Sequence, residues 1–579
     1  MNTLPRFSIN YNKVDNINIK QLEQSYISTD DDLSNDYNPF RIEGFQNYNP
    51  IHERVVSLSE QNYNSVQLNH KFLFRNTETV IDICENTSHS TPVFIKYSPL
   101  LDPIRYMIGK YVKDGDNIYK LPQFKNTITE NPKINDYNNA AYTDSFFYFL
   151  TSKALHTYDF IHGIDFYGSF LGIQDKYKMN VADDIEYLIT SQYFNENVDK
   201  LFSICNHEVA SYFADSSRAN RSKLRISNTN DHNISAVSLP ECLTLDTSPS
   251  IISMDIDESN LIYENNTPTQ QPSHNQSEST SSSSDNSNSN DSSDEENNSD
   301  QDDEDWETDS NEDDETSCET ESDVVDEPQY AYINKFPVQL ICLEKCKGTL
   351  DDLFTQHIIN EDIAAAALFQ VIMILISYQK MFHFTHNDLH TNNIMYIDTD
   401  EPYLYYKFEN IPYKVPTYGK IFKLIDFGRS IYTFDGQVMC SDSFAPGGDA
   451  ATQYNCEPYF DETKPSIEPN YSFDLCRLGC SIYDFIIPED DNYSKYDELQ
   501  KTIHRWCLDD KGKNVLYKKN GEERYPNFKL YKMAARTVHN HTPQSQLKYP
   551  YFKQFTSLYE TPDVKYINID ILPCLANKI

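Results

Sequence analysis
The chain has 579 residues, a formal net charge of −41 and 13% aromatic residues, but only 15 glycines. At ~150 residues per domain the length leaves room for three or four domains. An acidic balance of this size argues against direct nucleic-acid binding, and twelve cysteines without a C-x-x-C pair exclude a disulfide-dense secreted scaffold, so a reducing compartment is expected.

Residues 1–50 are polar, rich in Asn and Tyr, and show neither the charged start nor the apolar core of a secretory signal; they are expected to form an extension. Val93-Phe94-Ile95-Lys96 reads as a strand ending on a lysine, and Ala141 to Leu150 is the best helix ahead of the next strand, Ile164 to Phe170. Asp184 to Ile189 fits a short helix. Between Arg225 and Lys335 there are 29 acids and no Lys or Arg, so most of the net charge is local. Runs such as Ser277–Asp285 and Asp302–Glu307 bury too little apolar surface to offset chain entropy, and the tract from about 215 to 328 is expected to be disordered. It reads first as a solubilising linker and second as a docking segment for basic partners.

Phe336 to Glu344 predicts a strand, and Lys347 to Leu353 a linker and helix start. Asp362 to Tyr378 is apolar on every side, which predicts a buried helix. Its apolar run, Ala364 to Tyr378, falls short of the ~20 residues of a membrane span, so no membrane partner is expected. There follow His386-Asn387-Asp388-Leu389-His390-Thr391-Asn392-Asn393, then Asp426-Phe427-Gly428, then a helix over Asp474 to Tyr483. Taken singly, Asp388 and Asn393 are ordinary turn formers. His386 and His390 have the spacing of zinc ligands on a helix, but zinc hydrolases of that type carry Glu after the first His, where this chain has Asn387.

Taken together these motifs resemble the protein kinase superfamily over roughly residues 90–173 and 331–555. The loop at 386–393 is similar to H-R-D-L-x-x-x-N, and Asp426-Phe427-Gly428 to D-F-G. Asp474 to Gly479 looks like the D-x-x-x-x-G helix that anchors the loop. The resemblance implies an α+β, two-lobed protein kinase-like fold. Residues 51–173 and 331–346 would form a small β-rich lobe interrupted by an insertion at 174–330, and 347–579 a large helical lobe. It also implies ATP and Mg²⁺ as cofactors and transfer of the γ-phosphate to Ser/Thr hydroxyls of a protein substrate. Asp388 would then be the catalytic base, Asn393 and Asp426 the metal ligands, and Lys96 the ligand of the α/β-phosphates. Asp144 would partner Lys96, although the family uses Glu. Leu343 would be the gatekeeper, Glu344 and Cys346 would offer backbone groups to adenine, and His386, Gly428 and Asp474 would support the loop.

Three departures from the family pattern bear on activity. No glycine lies between Gly44 and Gly109, so the glycine-rich phosphate loop has no counterpart before Lys96. His390 stands where a Lys usually meets the γ-phosphate. Asn387 replaces the Arg that reads a phosphorylated activation segment, so activity should not depend on such a phosphate unless Arg429 or Arg477 takes that role. The whole pattern also resembles the divergent kinases of large cytoplasmic DNA viruses, which implies action in a host cytoplasm or packaging in a virion. Two other classes are carried alongside. A choline- or aminoglycoside-like kinase shares the loop, but Gly428 and the Asp474 helix favour protein kinases. A pseudokinase scaffold would suit the missing glycine loop, but Lys96, Asp388, Asn393 and Asp426 are all retained.

Overall fold
The computed structural model describes residues 5–14, 17–29, 32–33, 35–125, 131–204, 329–488 and 492–578. Over these residues the chain is a mixed α+β protein in which a long antiparallel hairpin organises the main sheet. In chain order its elements are β1 (Ile42–Gln46), β2 (Val93–Pro99), helix α1 (Ala140–Tyr158), β3 (Phe166–Asn180), β4 (Phe202–Ile204) and β5 (Tyr330–Glu344). The strands run β1, β3, β5, β2, with β4 also paired to β5, and every pairing is antiparallel. β3 and β5 pair from Phe166↔Leu343 out to Asn180↔Tyr330, with one register shift between Cys342 and Leu343. Their inner halves are buried on both faces, which is why they read as continuous apolar runs rather than as alternation.

Two sequence boundaries need correction. The strand expected to end at Phe170 continues to Asn180, so residues from 174 first extend the sheet instead of starting an insertion. Lys176 and Lys178, opposite Asn334 and Tyr332, break the apolar pattern there and hide the strand. Residues 1–50 are more than an appended extension, because β1 adds an edge strand and Phe7, Leu22, Phe40 and Tyr48 are buried in the core. The short helix near Asp184 is present at Ile185–Thr190. The tract expected to be disordered, about 215 to 328, lies outside the described residues.

After β5 the chain continues through helices and short strand pairs, among them α2 (Leu350–Thr355), α3 (Glu361–Phe382), β6 (Ile394–Asp398), β7 (Lys420–Leu424), α4 (Phe473–Ile486), α5 (Glu498–Trp506) and α6 (Lys529–Thr537). α2 opens on a capping box between Thr349 and Asp352. α3 starts at Asn360, whose side chain accepts the Ile363 N–H at 2.9 Å, and Glu361 and Asp362 sit at the positive end of its dipole. At 22 residues it is long and apolar enough to cross a membrane, so the expectation drawn from the shorter run is corrected on length. Burial is what marks it as a core helix, since 83% of its apolar window is enclosed by the rest of the protein. α4 carries Gly479, where a Cβ would come within 2.9 Å of Trp506 Cβ; the missing side chain lets α4 and α5 pack closely.

Candidate active site
Lys96 lies on β2 opposite Ile341 of β5 and is 6% exposed. Its Nζ sits 2.8 Å from Asp144 Oδ2 and 2.9 Å from Asp426 Oδ1. Asp144 and Tyr148 are four residues apart on α1 and so share a face. That face holds the start of the Asp-Phe-Gly turn at two points: Asp144 Oδ1 accepts the Phe427 N–H at 2.7 Å, and the Tyr148 hydroxyl accepts the Asp426 N–H at 2.8 Å. The bonds hold Asp426 in the left-handed region at φ +61°, a conformation few non-glycine residues adopt. Two carboxylates, Asp144 buried and Asp426 partly exposed, share one ammonium here. Burial pushes the Asp144 carboxyl up to about 6 against the pull of Lys96. Burial also opposes ionisation of Asp426, but Lys96 outweighs it and holds that carboxyl below the usual range.

The loop after α3 is fixed from the side of α4. Asp474, fully buried, accepts the backbone N–H groups of His386 and Asn387, each at 2.9 Å. The His386 ring meets the Ile425 carbonyl at 2.9 Å through Nε2. Asn387, at φ +64°, donates its amide to the Arg429 carbonyl at 2.9 Å and accepts the Tyr454 hydroxyl at 2.8 Å. Asp388 emerges from this frame with Oδ1 accepting the Tyr531 hydroxyl at 2.8 Å and Oδ2 3.9 Å from the Arg429 guanidinium. Arg429 in turn binds Asp449 at 2.6 Å, and Arg477 donates to the Tyr531 hydroxyl at 2.8 Å. Burial opposes the Asp388 charge, but Arg429 foremost among its neighbours outweighs it and holds the carboxyl at about 2.

Asn393 ends the loop just before β6, and Asp426 follows β7. Because β6 and β7 pair antiparallel at Ile394↔Leu424, both residues come out at the same end of the pair. The Asn393 carbonyl accepts the Ile425 N–H at 3.0 Å. Its side-chain nitrogen is committed to the Asp388 carbonyl at 2.9 Å and to His390 Nε2 at 3.0 Å, which leaves the carboxamide oxygen as the donor atom for a cation. A carboxylate and a carboxamide oxygen are the hard ligands that suit Mg²⁺. Burial lowers the His390 ring to about 4, so at neutral pH it accepts from Asn393 and carries no charge.

Two hollows adjoin these groups, and both are lined by Lys96 and Asp426. The larger, about 140 Å³, is bounded by Asp144, Asp388, Gly428 and Arg429. The smaller, about 20 Å³, lies among Phe94, Leu343, Glu344, Cys346, Met395 and Ile425, and has room for little more than one water. Phe94 occupies the alanine position of the V-A-I-K pattern, and its ring helps fill this slot. Burial pushes the Cys346 thiol up to about 12. The Glu344 N–H already donates to the Asp165 carbonyl at 2.9 Å, and its carboxylate accepts the buried Lys423 ammonium. The Glu344 N–H is therefore already committed within the fold.

Every site residue named from the sequence lies in or beside these hollows, or braces the loop between them. Sequence reading missed Tyr148, Lys423, Asp449 and Tyr531. Of these, only Tyr148 had a signal, its helical spacing from Asp144. His383, His386 and His390 do not converge: among the described residues, His386 and His390 have the partners above, and His383 lies 3.8 Å from Cys574 Sγ. No protein-family model matches the chain, and no curated protein matches it.

Proposed function
We propose that the chain is a two-lobed, kinase-like enzyme that uses ATP and Mg²⁺ to phosphorylate Ser/Thr hydroxyls of proteins. The observation that carries this reading is the meeting of Lys96, Asp144, Asp388 and Asp426 around one cavity, with Asn393 bonded to the Asp388 carbonyl beside it and residues as far apart as 330 positions in direct contact. Lys96 is placed to bind the α/β-phosphates, Asn393 and Asp426 to hold the metal, and Asp388 to aim the attacking hydroxyl. The metal, when bound, would neutralise the charge on the transferred phosphoryl group. What the chain itself supplies is positioning and fixed charge. Action in the host cytoplasm, or from a virion, rests on the sequence resemblance to viral kinases alone.

One observation favours a second reading. The slot beside Lys96 encloses about 20 Å³ with Phe94 across it, which suits a scaffold that has given up nucleotide binding. Incubating the full chain with γ-labelled ATP and Mg²⁺, with basic and acidic proteins and choline offered in parallel, separates the possibilities. Label on Ser/Thr of a protein is the expected result. Label on choline alone would make it a small-molecule kinase, and a chain that neither binds ATP nor transfers label would be a scaffold.

A further inference from the structure
Lys96 draws its two carboxylates from two separate parts of the chain, Asp144 on α1 and Asp426 at the head of the segment that runs on to α4. One residue of that segment reaches back to the start of α1. Asp442 is 6% exposed; its Oδ1 accepts the Ala140 N–H at 2.9 Å, and its Oδ2 takes the Lys133 ammonium at 2.7 Å. Its own N–H donates to the Asn138 carbonyl at 2.8 Å. The first-turn N–H groups of a helix have no partner within the helix, and a carboxylate there also meets the positive end of the dipole. Lys133 is held for this contact from its own side, because its carbonyl accepts the Asn139 amide at 3.0 Å and Asn139 caps α1 at the Ala141 N–H. Burial alone would push the Lys133 ammonium down, and Asp442 foremost brings it back above the usual range. Asp144 stands one turn further along the same helix.

We infer that Asp442 is a positioning residue: it ties the segment beginning at Asp426 to the first turn of α1 and so sets Asp144 against Lys96, with no added phosphate. Its importance for phosphoryl transfer rests on the kinase reading; its hold on the Lys96–Asp144 pair does not. The test uses the full chain as Asp442→Asn, which keeps the shape and removes the charge, with Lys133→Ala as the second variant and Asp442→Glu as the conservative one. Hydrogen exchange of residues 138–145 should rise about tenfold in the first two, as expected for loss of a charged hydrogen bond. Acylation of Lys96, followed by peptide mass spectrometry, should quicken in step, and Asp442→Glu should restore part of both. In an active enzyme the KM for ATP should rise more than kcat falls, while the melting temperature barely moves. Exchange and acylation within about twofold of wild type in both variants would overturn the inference. A wild-type chain that transfers no phosphate would sink the kinase reading instead, and exchange and acylation would still decide whether Asp442 is the tie.

Discussion
At Asp388 the charge is so well secured by Arg429 and Tyr531 that the carboxylate, at about 2, is a weak proton acceptor. In the proposed reaction its contribution would therefore be to aim a hydroxyl, with the proton leaving late. Asp388→Ala should lower phosphoryl transfer by roughly 10²–10⁴-fold while ATP still binds; an unchanged rate would remove Asp388 from the reaction. The acid limb of the pH profile belongs to Asp144 instead. As pH falls through about 6 its carboxyl takes up a proton, Lys96 loses a partner, and ATP affinity should drop; Asp144→Asn should bind weakly at every pH and lack that limb. Stability should move the other way. The folded value lies above the ordinary 3.8, so the native state binds this proton more readily than the unfolded chain does, and ionising Asp144 removes stability as pH rises from about 4 to about 6. Other buried carboxyls, Asp184 among them, are raised as well, so denaturant melts across that range should show a slope in both proteins that is shallower in Asp144→Asn than in wild type. Lys96, Asp388, Asn393 and Asp426 were legible because their motifs are local in sequence. Tyr531 was not, since it reaches Asp388 from 143 residues away and a lone tyrosine on a helix carries no signal.

At the scale of elements, α4 acts on the loop at 386–393 through one side chain, Asp474. Asp474→Ala would leave the His386 and Asn387 N–H groups buried without partners, and should cost about 2–6 kcal/mol of stability at roughly 1–3 kcal/mol per orphaned group. Thermal melts of Asp474→Ala and Asp474→Asn check this, with the amide variant expected to fall between. In the segment ahead of α4, Ser430, Ser441 and Ser472 are buried while Ser443 is half-buried and Ser466 exposed, and Asn387 offers no guanidinium to a phosphate on either of the last two. Phosphatase treatment should accordingly leave the transfer rate within about twofold, which a rate assay with mass spectrometry before and after would establish. Helices α1, α3 and α4 could be read from their apolar runs because each buries most of its surface. The outer halves of β3 and β5 could not, because their Lys and Asn residues break the apolar pattern while the backbone ladder continues regardless.

For the whole molecule, the acidic tract leaves the sheet and returns to it at adjacent points, because Ile204 of β4 pairs with Ala331 of β5. Neighbouring strands lie ~4.8 Å apart, so a short linker can close the gap. Replacing Asp215–Glu327 by a short Gly/Ser linker should hold the melting temperature or raise it slightly, since loop closure changes by only ~0.6 kcal/mol per halving of length. A collapse of the melting temperature would mean that the tract packs on the fold. The buried slot has a practical use at this scale as well. Among the described residues Cys84 and Cys574 are exposed, whereas Cys346 lines the slot with its thiolate suppressed. A neutral thiol reagent should therefore label the first two quickly and spare the third, so that alkylation of Cys346 becomes a clock for how often the slot opens.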